Sequence, residues 1–291
     1  MRPDLVTDLK LAVEAPGSAL APAALVIARL EYPRLEAERC LATLDRLGDE
    51  ARRWIERKTS ETGDSSIRSC VIALNEYLFD EQGFHGNRDK YDDPRNSCLN
   101  EVLDRKTGIP ITLSVVYVEV ARRAGVRVDG VSFPGHFLVR CPEVGRGGAA
   151  LIVDPFHNGA MLTTADCKNL LVKYAGEDVV FSRSLLAPAT RPQIIVRMLL
   201  NLKRLYVHMR SFPQARSVTD MLVAMTPSAL TELRDRGLLA YHLNDVTGAL
   251  RDLETYLKLS SLSDMDKSAR EEYSQLWEHV KTLRRRVASL N

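Results

Sequence analysis

Apolar residues recur at three- and four-residue spacing through residues 23–31 and 35–57, and Pro33 separates the two runs. That period predicts two amphipathic helices, the first ended by the proline, within a stretch from 19 to 83 that reads as helical. Gly63–Ser66 is a polar break, so Asp64 or Ser65 is expected to cap a helix over Ile67–Phe79. Residues 84–95 are rich in Gly, Asp and Asn without a period, as a loop would be. Asn96 is placed to cap a short helix through Arg105, with Gly108 just past its end.

Pro110 fits the first turn of a helix, where its missing N–H costs nothing. The run to Ala124 is apolar on most sides and closes with Arg122, Arg123 and Gly125, which predicts a buried helix despite its β-branched content. Val126–Phe133, His136–Cys141 and Ala150–Asp154 are short β-rich runs divided by Pro-Gly and Gly-rich turns, so antiparallel strands are expected, with a hairpin tip at Glu143–Gly148. Thr163 or Thr164 should cap a helix over Ala165–Tyr174.

From Thr190 the pattern turns helical and stays so. It repeats with a period of 34: Leu199 recurs as Leu233, Ala215 as Ala249, and Leu205 as Leu239. Two repeats or fewer do not make an independent solenoid, so this segment is expected to lean on the rest of the chain, with Ala269–Val287 as a closing helix. The expected domains are 1–188 and 189–291.

The candidate chemistry lies in the middle of the chain. His136 follows Pro134-Gly135 at the start of an apolar run, and Asp154 ends the next one. A strand histidine oriented by a strand aspartate suits proton transfer, but spacing alone favours a hydrogen-bonded pair that pins two strands. A helix start facing such a pair is where a cysteine would be ionised. Here the helix opens Ile109, Pro110, Ile111, Thr112, without a cysteine. Cys98, in the first turn of a helix capped by Asn96, is the substitute thiol, although that helix spans about 15 Å. Asn96, Asn100, Thr112, Ser114 and His157 are the candidate cleft residues. His136, Asp154 and His157 lack an HxH or HExxH spacing, so no metal is expected, and no fingerprint calls for a nucleotide or other cofactor.

Composition changes this picture little. A net charge of +2 gives no pull toward nucleic acid, and the basic cluster Lys281–Arg286 reads as a solvated helix end. The five cysteines are scattered without a CxxC pair, so neither a zinc site nor a disulfide framework is suggested, which fits a cytoplasmic location. Asp4, Asp8 and Glu14 interrupt the N-terminal apolar stretch against a signal peptide, and no run reaches a membrane span.

The ordered segments Gly83–Leu103, Gly108–Gly125, Phe133–Arg140 and Asp154–Phe156, with Leu233–Leu243 later, resemble the bacterial SirB family. The resemblance implies an α+β, transglutaminase-like domain of the papain-like cysteine protease superfamily, followed by an all-α tetratricopeptide-like segment. It also implies that His136 and Asp154 are the superfamily's dyad and that the nucleophile position falls at Pro110 or Ile111, neither of which can attack a carbonyl. The expected function is therefore non-catalytic binding of a peptide or protein partner, with no nucleic acid or membrane partner. The rival expectation is a thiol-dependent amide-bond enzyme using Cys98, His136 and Asp154.

Overall fold

The computed structural model describes residues 4–17, 19–142, 150–260 and 266–288, so the expected hairpin tip at Glu143–Gly148 lies outside the described residues. The chain divides into two compact units, 1–198 and 199–291.

In the first unit α1 (Leu5–Glu14), α2 (Ala21–Ala28), α3 (Ala37–Thr62) and α4 (Ile67–Asn75) come first. The sequence reading did not include α1; it is capped by the Asp4 side chain, which accepts from Thr7 N. The cap of α4 is Ser66, one residue beyond the expected pair, while Asp64 instead accepts from Ser66 N at 2.8 Å. The helix expected to run to Phe79 gives way to a π-helical turn over Glu76–Glu81. At that junction the Asn75 carboxamide donates to Gly159 O at 2.7 Å and accepts from the Tyr117 hydroxyl at 2.9 Å.

Two-residue strands β1 (His85–Gly86) and β2 (Thr107–Gly108) pair in parallel around α5 (Leu99–Arg105). The helix expected from Asn96 is shorter, because Pro94–Ser97 forms a 3₁₀ turn and the Asn96 side chain is used elsewhere. Its Nδ2 donates to Lys90 O at 2.7 Å and Tyr91 O at 3.2 Å, which ties down the loop before it. Cys98 is thus the N-cap of α5, in extended backbone, and not a first-turn residue.

The next helix, α6 (Pro110–Ala124), is the axis of this unit: 13 of its 15 residues are buried. It packs against α3, where Gly48 lets the Arg123 stem approach too closely for any side chain at 48. Its one acidic residue, Glu119, is fully buried, which the apolar pattern of α6 did not foretell. Glu119 Oε1 accepts from Leu20 N at 2.5 Å and Ala21 N at 3.3 Å, and Oε2 from Arg122 at 3.2 Å and from Arg123. A carboxylate on one helix thereby caps the N-terminus of α2.

Strands β3 (Asp129–Val131), β4 (Leu138–Cys141), β5 (Leu151–Asp154) and β6 (Ala160–Leu162) form an antiparallel sheet in sequential order. Val139 faces Val153 across β4 and β5, and Asp154 faces Ala160 across β5 and β6. α7 (Thr164–Ala175), capped by Thr163 with Asp166 in a capping box, covers one face of the sheet. Cys167 and Leu171 pack there on Val131, Phe133, Leu138 and Ile152.

α8 (Arg191–His208) contributes Ile194, Ile195 and Met198 to the first unit and Leu199, Leu202 and Tyr206 to the second, all buried. The second unit continues with α9 (Phe212–Met225), α10 (Leu230–His242), α11 (Val246–Leu259) and α12 (Lys267–Ala288). Ala215, Ala240 and Ala249 are fully buried, and Gly237 packs on Leu253, so small residues allow successive helices to approach closely. Asp252, also buried, joins α10 to α11 by accepting from Arg236 Nε at 2.6 Å and Nη2 at 3.0 Å. Two basic residues of the C-terminal cluster are paired: Lys281 with Glu278 and Arg284 with Glu254.

Candidate functional site

Local geometry explains why His136 stands where it does. Pro134-Gly135 makes a turn in which Gly135 adopts φ +68°, and His136 N donates to Phe133 O at 3.1 Å. The histidine therefore precedes β4 in the turn and does not begin the strand. A methyl group at Gly135 would stand 2.6 Å from Tyr174 Cβ, so the glycine also lets the end of α7 close over this corner. Tyr174 stacks on the His136 ring, with centroids 5.0 Å apart and planes 2° apart, and the Phe156 ring meets it edge-on at 6.1 Å.

Asp154 ends β5 and caps a 3₁₀ turn over Pro155–His157. Its Oδ1 accepts from Phe156 N at 3.0 Å and His157 N at 3.3 Å. Its Oδ2 accepts from two rings: His136 Nε2 at 2.8 Å and His157 Nδ1 at 2.7 Å. Burial is the strongest single influence on this carboxyl and pushes it up. The hydrogen bonds from the two rings, with their charge when protonated, together outweigh burial and hold it at about 2. The carboxylate is thus ionised at any ordinary pH, and it fixes which nitrogen of each ring carries the shared proton. Nδ1 of His136 and Nε2 of His157 are the nitrogens that take no part in this sharing.

Of the sequence-derived candidates, the structure brings together His136, Asp154 and His157. It gives the others different surroundings. Thr112 is fully buried at the start of α6, where its hydroxyl accepts from Ile109 N at 3.1 Å and donates to Asn96 O at 2.7 Å. Ser114 is buried with its hydroxyl unpartnered inside the fold. Asn96 holds the preceding loop, and Asn100 lines a groove of about 680 Å³ with Tyr32, Leu35, Arg39 and Cys40, whose walls include none of the triad. Cys98 is buried, and its thiol is pushed up to about 12 by burial first and then by Glu31, Glu101 and Asp93, against the pull expected of a helix start.

Sequence reasoning missed three residues that build this corner. Tyr174 was read only as a helix end. Asn75 and Tyr117 secure the Asn158–Gly159 turn that carries His157 into place, and Gly159, at φ +73°, has no room for a side chain beside Asn75. The left-handed requirement of that turn was a signal available in the sequence, as Asn-Gly.

Comparison with known proteins agrees with this architecture. Residues 38–200 match the transglutaminase-like superfamily, and residues 202–276 match the tetratricopeptide repeat. A UPF0162 protein of Xylella fastidiosa (strain Temecula1 / ATCC 700964) is 41% identical over 240 residues, which cover 81% of this chain and 82% of that protein. The chain belongs to the UPF0162 family of the transglutaminase-like superfamily. A second UPF0162 protein, from Pseudomonas aeruginosa, is 31% identical over 250 residues, 86% of this chain and 87% of its own length. F-box only protein 21 of Mus musculus is 34% identical over 202 residues, but these are only 31% of that longer protein. No solved structure matches the chain. Among the described residues no helix of this UPF0162 protein is long and apolar enough to cross a membrane.

Proposed function

We propose that this UPF0162 protein is a non-catalytic binding module for a peptide or protein segment, acting in the cytoplasm. The order of Gly108–Gly125, Phe133–Arg140 and Asp154–Phe156 supports a finer placement in the SirB family, on the 1–188 and 189–291 division read from the sequence. The observation that carries the proposal is the start of α6. Pro110 and Ile111 cannot act as nucleophiles, and the Thr112 hydroxyl is spent on Ile109 and Asn96. The rival thiol mechanism would need an ionisable cysteine, yet burial pushes Cys98 and Cys141 to about 12 and Cys167 to about 11, and raises Cys40 and Cys70. The tetratricopeptide repeats of the second unit support a protein partner.

The test is an assay of the full chain on peptide amides and on glutamine–amine pairs, beside His136→Ala and Cys98→Ser. No turnover above the two variants is expected. Turnover abolished by both substitutions would establish the thiol enzyme with Cys98, His136 and Asp154 and end the binding-only reading.

A further inference from the structure

Two ring nitrogens meeting one carboxylate oxygen is a donor set as well as a hydrogen-bond pattern. His136 Nε2, Asp154 Oδ2 and His157 Nδ1 all lie within 4.8 Å of one another. First-row divalent ions hold such atoms at about 2.0–2.2 Å, so two ligands on a tetrahedral ion stand about 3.4 Å apart. The present nitrogen–oxygen separations are 2.8 and 2.7 Å, so each ring draws back from the carboxylate by about 0.6 Å to admit an ion, while the two ring nitrogens, within 4.8 Å of each other, close toward the same spacing.

We propose that His136, Asp154 and His157 form a three-ligand site for a zinc-like divalent cation, with its open position on the side of His157. The ligand spacing has a structural cause. Asp154 and His157 are i and i+3 on a 3₁₀ turn, and three residues per turn bring those positions into line. His136 arrives from the turn before the neighbouring strand β4. No linear motif marks the set, because the sheet brings His136 to the Asp154–His157 turn.

The surroundings have the features of a built site. Asp154 Oδ1 is held by two backbone N–H groups, which leaves Oδ2 aimed at the two rings. The stacked Tyr174 and the Phe156 edge fix the plane of His136, whose side chain is 1% exposed. The His157 side chain is 28% exposed and gives the ion a way in. On loading, the proton that each ring shares with Asp154 must leave the nitrogen that takes the ion, so His136 Nε2 and His157 Nδ1 become free to ligate. Two histidines and a carboxylate with an open fourth position suit imidazole-seeking ions over magnesium or calcium. The site depends on these three side chains alone and goes beyond the binding-module reading, which concerns the missing nucleophile.

The experiment is titration of the chelator-treated full chain with zinc by calorimetry, and with cobalt(II) by visible absorption. One zinc per chain is expected, with affinity about micromolar or tighter. Cobalt should give four-coordinate bands without the intense near-ultraviolet band of a thiolate. His157→Ala, whose part-exposed side chain can be removed without opening the core, should weaken zinc binding roughly 100-fold or more while still unfolding cooperatively. Asp154→Asn should also weaken zinc binding, and histidine-selective ¹⁵N spectra should show only the His136 and His157 rings responding to zinc. No binding by the wild type, a thiolate band, or undiminished affinity in folded His157→Ala would each overturn the proposal.

Discussion

At the scale of single residues, the cysteines give the plainest test. With thiols at about 12, Cys98 and Cys141 hold roughly one thiolate in ten thousand at pH 8. Alkylation of the native protein, followed by mass spectrometry, should therefore modify the half-buried Cys40 and Cys70 first. The Cys98 rate should climb with pH and reach no plateau below pH 10, and His136→Ala should leave it unchanged. Modification of Cys98 ahead of Cys40 at pH 7 would mean that the thiol is activated. Gly135→Ala tests the corner itself. A left-handed φ costs a non-glycine residue about 1 kcal/mol, and the added methyl must also displace Tyr174. A loss of about 2 kcal/mol in urea denaturation is expected. His136 and Asp154 were legible in the sequence because each ends or opens an apolar run beside a proline. Tyr174 was not, since an aromatic at a helix end carries no mark of what it will stack on.

At the scale of elements, helices with a strong apolar period were legible, and those set by side-chain hydrogen bonding were not. The α6 helix is the clearest success, placed by Pro110 and Gly125 at its two ends. The short α5 shows the opposite, because Asn96 serves the loop and not the helix, and local spacing cannot tell those uses apart. Glu119 is similar: its role appears only when α2 comes alongside α6. Glu119→Ala should cost about 3 kcal/mol or more, because two backbone donors and two guanidinium groups lose their partner. Glu119→Gln, which keeps an acceptor, should cost less. Hydrogen exchange at Leu20 and Ala21 should quicken in both.

In the second unit, burial pushes the Asp252 carboxyl up, but the hydrogen bonds of Arg236 and Arg251 outweigh it and hold the group below its ordinary value of 3.8. A depressed acid stabilises the fold above its unfolded value, and that contribution is lost as pH falls through its folded one. The difference in melting temperature between wild type and Asp252→Asn should thus be full above about pH 4 and shrink below it. A constant difference across that range would remove Asp252 from the acid response.

At the scale of the whole molecule, α8 governs how the chain can be cut. A fragment of 190–291 would carry Ile194, Ile195 and Met198, buried in the full chain, cut away from the unit to which they belong. A fragment beginning at 209 would lose Leu199, Leu202 and Tyr206, buried residues that belong to the second unit. Both fragments should aggregate or unfold without cooperativity, as circular dichroism melts and size-exclusion chromatography would show. A sharp monomeric transition in the 209–291 fragment would show those three residues to be dispensable. The same helix has a consequence for inheritance. A recombination crossover within codons 191–208 would build α8 from two parents, so the buried residues on the two sides of the unit boundary would no longer share one history.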